Sequence, residues 1–272
     1  MSSSIITLII GGLIFGSFLN VIIYRLPLIT EKNNFRKNKF NLFYPRSHCR
    51  ECKKTIRNFH NIPILSFLFL KGKCAYCKKP ITIQYLLIEI ITSLLTVQAG
   101  LYYGLNIELF LSLFFLYMLI AISVIDINHK IIPDSLSLTL LWTGIVISIL
   151  FSSSAFSIFP IDPASSIFGA ILGYLILWSI FHVYLVISNK EGFGYGDFKF
   201  LAALGAWLGW KLIPFILFLS SILGIMFGLW LMLNKKIKKD EPIPFAPFLA
   251  ISGWISMIFD VKIIKIYSFL QL

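Results

Sequence analysis

The chain has 272 residues, of which 58% are hydrophobic and 13% are charged, and its mean hydropathy is +0.86. Soluble domains are nearer half apolar and a quarter charged, so this composition excludes an ordinary soluble protein and predicts an all-α polytopic membrane protein. The net charge of +12 suggests nucleic-acid binding, but 14 of the Lys and Arg residues lie between Arg25 and Lys79, beside apolar segments. Such a loop is typical of the cytoplasmic side of a membrane. We therefore expect contact with anionic lipid and no nucleic-acid partner.

Apolar segments recur along the chain, most of them about as long as the ~30 Å hydrocarbon core requires, and predict about eight transmembrane helices. Seven or nine are the alternatives, because the sixth segment is short and the second and third nearly touch. In chain order the segments cover residues 4–24, 84–103, 108–125, 134–151, 165–188, 198–210, 212–233 and a last segment from about 244. Because the basic loop is expected in the cytoplasm, the alternation of spans puts Asp126 and Asp197 on the cytoplasmic face. We predict three parts: a first helix (1–25), a cytoplasmic loop domain (26–82) and a multi-span membrane domain (83–272).

All four cysteines lie in the basic loop, as Cys49-x-x-Cys52 and Cys74-x-x-Cys77. Two such pairs can complete a tetrahedral thiolate site, and disulfides are disfavoured on the reducing cytoplasmic side. The spacing predicts a zinc ion, which would be structural because four thiolates leave no open position for water. A rubredoxin-like iron site, a [2Fe–2S] cluster and a redox dithiol are the alternatives.

Two aspartates give the most specific chemical signal. Asp126 ends the third predicted span, and Asp197 follows Gly194-Tyr195-Gly196 at the start of the sixth. Ionisable groups at such positions are costly and usually functional. Two carboxylates that share one proton are the machinery of aspartic proteolysis. The alternatives are that Asp197 only caps its helix and that Asp126 only marks the water boundary.

Three other polar residues carry weaker signals. Glu89 lies inside the second predicted span, where we expect it to bond to a neighbouring helix rather than to catalyse. Asp134 follows a proline and is predicted to cap the fourth span. Lys199 is expected either to pair with a carboxylate or to extend toward water.

Several motifs together resemble those of the type IV prepilin peptidases. They are Gly16-Ser17-Phe18-Leu19-Asn20 followed by Arg25-Leu26-Pro27, the two cysteine pairs, Tyr85-x-x-x-Glu89, Asp126 with Pro133-Asp134, the segment 191–199 around Asp197, and the segment 244–250. The last segment has Ala246 where the family usually has glycine.

The resemblance implies that Asp126 and Asp197 cleave the basic leader from prepilins and pseudopilins at the cytoplasmic face of the bacterial inner membrane. Many members of the family then methylate the new N-terminal residue with S-adenosylmethionine. That activity goes with the zinc-binding cysteine loop, which this chain retains, so the resemblance implies both activities. Gly72 matches a glycine that is tied to methyl transfer in the family, and it is the one candidate cofactor residue.

Two alternative functions stay open. One is an intramembrane aspartic protease of broader specificity without methyltransferase activity, against which the cysteine loop and the motif at Asn20 argue. The other is a non-enzymatic membrane scaffold or transporter with a zinc-stabilised loop. For that protein, replacing Asp126 or Asp197 by asparagine would change nothing in a cleavage assay.

Overall fold

The computed structural model of the chain describes residues 2–31, 41–57, 59, 62–152, 162–188, 194–234 and 243–269. In these residues the regular elements are helices, accompanied by two isolated β-bridges, so the prediction of an all-helical protein is confirmed. The α-helices are α1 (Ser2–Glu31), α2 (Leu65–Phe69), α3 (Gln84–Tyr103), α4 (Ile107–His129), α5 (Asp134–Leu150), α6 (Pro163–Ser188), α7 (Tyr195–Leu208), α8 (Ile213–Leu233) and α9 (Ala246–Phe269). Residues 191–193 of the motif before Asp197 lie outside the described part.

Five of the described helical segments are long and apolar enough to cross a membrane: Ser4–Thr30, Gln84–Tyr103, Ile107–His129, Pro163–Ser188 and Trp210–Leu233. The protein is therefore a multi-pass membrane protein. The predicted count of eight spans is not confirmed, because α5 and α7 have 17 and 14 residues. Those lengths correspond to about 25 Å and 21 Å, less than the ~30 Å core.

The chain forms two compact units, Met1–Tyr117 and Met118–Leu272. The predicted division into residues 1–25, 26–82 and 83–272 stays a prediction. In the first unit, α1 packs closely along α3 at small residues. A Cβ atom at Gly16 would lie 2.8 Å from the Cα of Glu89, so glycine is needed for this approach. The Asn20 side chain reinforces the contact by donating to the Tyr85 carbonyl at 3.1 Å.

A buried arginine holds the chain that leads to the first cysteine pair. Arg25 is 4% exposed, and its guanidinium donates to the carbonyls of Asn41 (3.0 Å), Leu42 (3.2 Å) and Pro45 (2.6 Å). A buried charge is stable only when it is hydrogen-bonded in this way. Arg25 thus fixes the path of the segment before Cys49.

Glu89 also contacts the loop. Its Oε2 accepts the backbone N–H of Ile64 at 2.8 Å, just before α2. The expected partner on a neighbouring helix is present as well, because the carboxylate also accepts a hydrogen bond from the Ser17 side chain of α1. The N–H at the start of a helix has no acceptor within the helix, so a buried carboxylate is a suitable partner for it.

In the second unit, α7 is the central helix, and every residue from Phe200 to Leu208 is buried. Helix α6 approaches it through glycines, and a Cβ at Gly173 would lie 2.7 Å from the Leu201 carbonyl. Helix α5 is joined to it by the Trp207 indole N–H, which donates to the Leu140 carbonyl at 2.7 Å. Packing on several sides gives the start of α7, where Asp197 lies, a fixed position.

Candidate active site and metal centre

Asp126 is held by the first residue of another helix. It lies in the last turn of α4, it is 6% exposed, and its Oδ2 accepts the Ala246 backbone N–H at 3.0 Å. The start of α9 therefore presents both an unpaired N–H and the positive end of its dipole to the carboxylate. Alanine in place of the usual glycine at 246 preserves this contact, because the donor is a backbone amide.

Asp197 uses its two carboxylate oxygens differently. It is the third residue of α7, and its Oδ2 accepts the Gly194 backbone N–H at 3.2 Å. It therefore does stabilise the start of the helix, but from the third helical position, because Gly194 and not Asp197 occupies the cap position that the capping alternative assigned to it. Oδ1 is fully buried and has no hydrogen-bond partner among the described residues. Because a buried polar atom without a partner is costly, this oxygen is available to a proton, a water molecule or a substrate.

The two carboxylates belong to the same unit and are close enough for the charge of Asp126 to act on Asp197. Both are buried, at 6% and 7% exposure. Two nearby carboxylates with little access to water cannot both ionise readily, so the arrangement favours one shared proton. That is the protonation state from which general acid–base catalysis on a peptide bond proceeds. The catalytic role of the pair stays a prediction.

Close packing positions the segment that carries Asp197. A Cβ atom at Gly196 would lie 2.7 Å from the Cβ of Ile132, far inside normal contact distance. On the next residue, the Phe198 ring is fully buried against Phe181 and Tyr174, with ring centroids 5.5 Å and 6.0 Å away. Glycine at 196 is thus required for the approach of α7 to the segment that follows α4.

Lys199 pairs with Asp134, and their Nζ and Oδ1 atoms are 2.7 Å apart. This outcome resolves the two possibilities for Lys199 in favour of a carboxylate partner. Asp134 does not cap α5 through its side chain, because Pro133 occupies the cap position and Asp134 is the first helical residue. Its charge still lies at the favourable end of the helix dipole.

The four cysteines converge in the first unit. The sulfur atoms of Cys49, Cys52, Cys74 and Cys77 all lie within 4.8 Å of one another, and those of Cys49 and Cys77 are 3.8 Å apart. Four thiolates around one zinc ion at ~2.3 Å form a tetrahedron with edges of about 3.8 Å. The cluster therefore has the composition and spacing to hold a metal ion.

The two cysteine turns have the same backbone geometry. Lys53 and Lys78, each directly after the second cysteine of its pair, have φ values of 58° and 59°. The Lys53 N–H donates to the Cys49 carbonyl at 3.0 Å, and the Lys78 N–H donates to the Cys74 carbonyl at 3.1 Å. Two equivalent turns that face each other are how paired Cys-x-x-Cys motifs surround one ion.

The two thiols of the second cysteine pair differ in proton affinity. Backbone N–H groups of Cys77 and Tyr76 lower the pKa of the Cys74 thiol to about 6. The backbone N–H of Lys79 lowers the pKa of the Cys77 thiol, but partial desolvation and the neighbouring sulfurs together raise it to about 11. A bound metal ion deprotonates the thiols that coordinate it.

Gly72 has a backbone role that the structure shows. Its φ is +67°, its N–H donates to the Phe67 carbonyl at 2.8 Å, and a Cβ there would lie 3.0 Å from the Phe67 ring. Glycine is therefore favoured at this turn between α2 and the second cysteine pair. The connection of Gly72 to methyl transfer stays a prediction.

Sequence reasoning missed three contacts: Arg25 with the 41–45 segment, Glu89 with Ile64, and Ala246 with Asp126. Only the first had a usable signal, because an arginine directly after an apolar span must find partners if it is buried. The other two join residues that are distant in sequence, and one partner in each is a backbone amide that any residue type can provide.

Known protein families and individual proteins are similar to this sequence along most of its length. Residues 10–103 match the family described as "Bacterial Peptidase A24 N-terminal domain", and residues 113–229 match the "Type IV leader peptidase family". Curated relatives named "Prepilin leader peptidase/N-methyltransferase" include proteins from Stutzerimonas stutzeri, Pseudomonas aeruginosa PAO1 and Legionella pneumophila.

These relatives are 38%, 39% and 40% identical over 269, 273 and 276 residues. The alignments cover 94%, 95% and 96% of this chain and 91%, 91% and 93% of the relatives, in the same order. No solved structure gives a significant match. Since the alignments extend over nearly the full length of both partners, the chain belongs to the type IV leader peptidase family.

Proposed function

We propose that this protein is a prepilin leader peptidase and N-methyltransferase of the bacterial inner membrane. It removes the basic leader of prepilins and pseudopilins and then methylates the new N-terminal amine. The relatives' shared name and near full-length alignment support the activity. The observation that carries the catalytic assignment is the buried pair Asp126 and Asp197, in which Asp197 Oδ1 has no partner in the described part of the chain.

The proposed cleavage is aspartic proteolysis. The ionised member of the pair takes a proton from water, which adds to the scissile carbonyl carbon, while the protonated member donates a hydrogen bond to the carbonyl oxygen. The peptide C–N bond then breaks, and the leaving nitrogen takes up a proton. We assign the acid and base roles to the pair as a whole. The amide of Ala246 holds one carboxylate and that of Gly194 the other, so both are oriented before substrate binds.

The cysteine cluster is proposed to hold a structural zinc ion through Cys49, Cys52, Cys74 and Cys77. The ion would offset part of the charge of the four thiolates and fold a loop that has few buried apolar residues of its own. S-adenosylmethionine is the proposed methyl donor, and it supplies an electrophilic methyl group on a sulfonium.

The proposed orientation puts the active site and the loop on the cytoplasmic face, where the substrate's basic leader lies. The loop's lysines and arginines would then contact anionic lipid. Reversing the charge of Lys53 and Lys54 to glutamate tests this contact. The full-length variant is expected to co-sediment less with anionic liposomes than the wild type. Unchanged co-sedimentation would contradict a contact between the loop and anionic lipid.

The decisive experiment is mass spectrometry of a prepilin incubated with the purified protein and S-adenosylmethionine. Wild type is expected to give a product that has lost the leader and gained one methyl group. Asp126→Asn and Asp197→Asn should each slow cleavage by about 10²–10⁴-fold, the usual contribution of acid–base groups. Asp134→Asn is the matched control, since Asp134 is exposed and pairs with Lys199.

The outcomes separate the alternatives. Cleavage without methylation would keep the protease and remove the methyltransferase. Cleavage that survives both asparagine substitutions would overturn the catalytic assignment, and failure to cleave a panel of prepilins would overturn the proposed function.

A further inference from the structure

The first unit contains a partly enclosed cavity of about 280 Å³ between α1, the cysteine loop and α3. We call it the loop cavity. Its wall includes Asn20, Tyr24, Arg50, Tyr85 and Glu89. All of its lining residues belong to the unit Met1–Tyr117, whereas both proposed catalytic aspartates belong to Met118–Leu272. Peptide cleavage as described above therefore uses none of the residues that line it.

The cavity wall carries a buried carboxyl group. Glu89 is 8% exposed and lines the cavity. One of its oxygens accepts the Ile64 N–H, and the carboxylate forms no salt bridge within the described residues. A buried carboxylate without a cationic partner is costly, and a bound cation would relieve that cost.

Aromatic rings and a guanidinium form another part of the wall. The Arg50 guanidinium lies 4.1 Å from the centre of the Tyr24 ring and 5.3 Å from that of Tyr85. This contact holds the arginine by cation–π attraction and keeps its planar group beside the cavity. Such a guanidinium can pair with a carboxylate through two hydrogen bonds, and the tyrosine rings offer flat apolar surface to a base.

We propose that the loop cavity binds S-adenosylmethionine, an inference that rests on the proposed methyl transfer. The Glu89 carboxylate would balance its sulfonium and ammonium charges, Arg50 its carboxylate, and the rings of Tyr24 and Tyr85 its adenine. The volume is close to the ~300 Å³ at which pockets begin to take molecules of this size. Charge, aromatic surface and size are thus all present in residues that have no part in cleavage.

The transfer step gives a reason for a carboxylate in a wall that also carries Arg25, Arg50 and Lys79. A C–N bond forms between the methyl carbon and the new N-terminal amine, the S–CH₃ bond breaks, and its electron pair stays on sulfur as the amine loses a proton to solvent. The donor therefore loses its sulfonium charge in the reaction. A carboxylate at the site should bind the charged donor more tightly than the neutral thioether product, S-adenosylhomocysteine.

The test measures binding directly, with purified full-length protein in detergent and no prepilin. Calorimetry gives Kd for S-adenosylmethionine and for S-adenosylhomocysteine. Glu89→Gln keeps an oxygen for the Ile64 N–H but removes the charge. It should weaken binding of the sulfonium donor at least about 10-fold, as expected when a charged hydrogen-bonding group is lost. Binding of the thioether product should weaken less. Glu108→Gln is the matched control, because Glu108 is 7% exposed, lies in the same unit and does not line the cavity.

Bound zinc, measured by plasma mass spectrometry, shows whether the Glu89→Gln loop is folded. Wild-type affinity of a zinc-loaded Glu89→Gln variant would overturn the proposal. Equal weakening by Glu108→Gln, or no binding by wild type, would overturn it as well. A wild type that binds the donor but neither cleaves nor methylates prepilins would instead contradict the proposed function.

A second measurement needs no variant. Wild type is irradiated in the presence of S-adenosylmethionine labelled in its methyl group, and the labelled peptides are mapped by mass spectrometry. Label in the peptides that contain Tyr24 or Tyr85, competed by unlabelled donor, supports the loop cavity. Competed label confined to other peptides would place the donor elsewhere and overturn the proposal.

Discussion

The two glycines of the Gly194-Tyr195-Gly196 segment should respond very differently to the same substitution. A Cβ at Gly196 would lie 2.7 Å from the Cβ of Ile132, whereas one at Gly194 would have Asp197 Oδ2 as its nearest neighbour at 3.6 Å. Carbon atoms normally approach to about 3.5–4.0 Å, so Gly196→Ala must displace α7 or the Ile132 segment by about 1 Å. Gly194→Ala requires no displacement, and φ at Gly194 is −81°.

The expected magnitudes follow from that displacement. Overpacking a buried contact costs about 1–3 kcal/mol, so Gly196→Ala should lower the thermal midpoint by several degrees. Because the adjacent Asp197 moves with the helix, cleavage should fall by about 10²-fold, the usual effect of a 1 Å misplacement. Gly194→Ala should produce much smaller changes in both quantities.

A second substitution tests the cause. Ile132→Gly removes the atom that Gly196→Ala would contact and should restore part of the lost stability and cleavage rate. Ile132→Ala keeps that Cβ and should restore less. Kinetics of prepilin cleavage and thermal unfolding in detergent measure both effects. Equal damage by Gly194→Ala and Gly196→Ala, or equal rescue by Ile132→Ala and Ile132→Gly, would refute a close contact between residues 196 and 132 as the cause.

Three further predictions concern the groups that hold the sites. Asp126→Ala, which removes the acceptor for the Ala246 N–H, should lower the free energy of unfolding by about 1–3 kcal/mol more than Asp126→Asn, which retains an oxygen; equal thermal midpoints would contradict this. Cys74→Ser should abolish metal retention, and either this variant or treatment of the wild type with a chelator should make residues 41–57 accessible to proteases. A loop that stays protected from proteolysis without metal would show that the ion is not structural. Arg25→Gln should accelerate amide hydrogen exchange in the same residues, because it removes three hydrogen bonds from a charged group, each worth about 1.5–3 kcal/mol. Unchanged exchange would show that other contacts hold the segment.

Local sequence determined which parts of the chain are helical. Apolar segments with few charges can satisfy their backbone polar groups in a membrane only as helices, so the bounds of α3 and the start of α5 match the predicted ones. The short α7 was also predicted as a helix, but its central, fully packed position was not. That position depends on glycines and small residues of α6, whose effect appears only when two helices are placed together.

The chemistry of the sites divides in the same way. The spacing of the four cysteines was enough to predict that their sulfur atoms gather in one cluster that could hold a metal ion, because each pair is local and such an ion takes four ligands. The sequence also singled out Asp126 and Asp197, since a carboxylate is costly at a membrane boundary. It left open whether Asp197 caps a helix or serves another purpose, and the structure shows that one oxygen caps while the other has no partner among the described residues.

Only tertiary structure decided the partners of these groups. The amide of Ala246 holds Asp126, the amide of Ile64 holds Glu89, and Lys199 pairs with Asp134 rather than with either proposed catalytic carboxylate. In each case the partners are 25 or more residues apart in sequence. Residue type and hydrophobic periodicity predict single helices and do not show which helices pack together. These pairs form only when helices and loops from distant parts of the chain pack against one another.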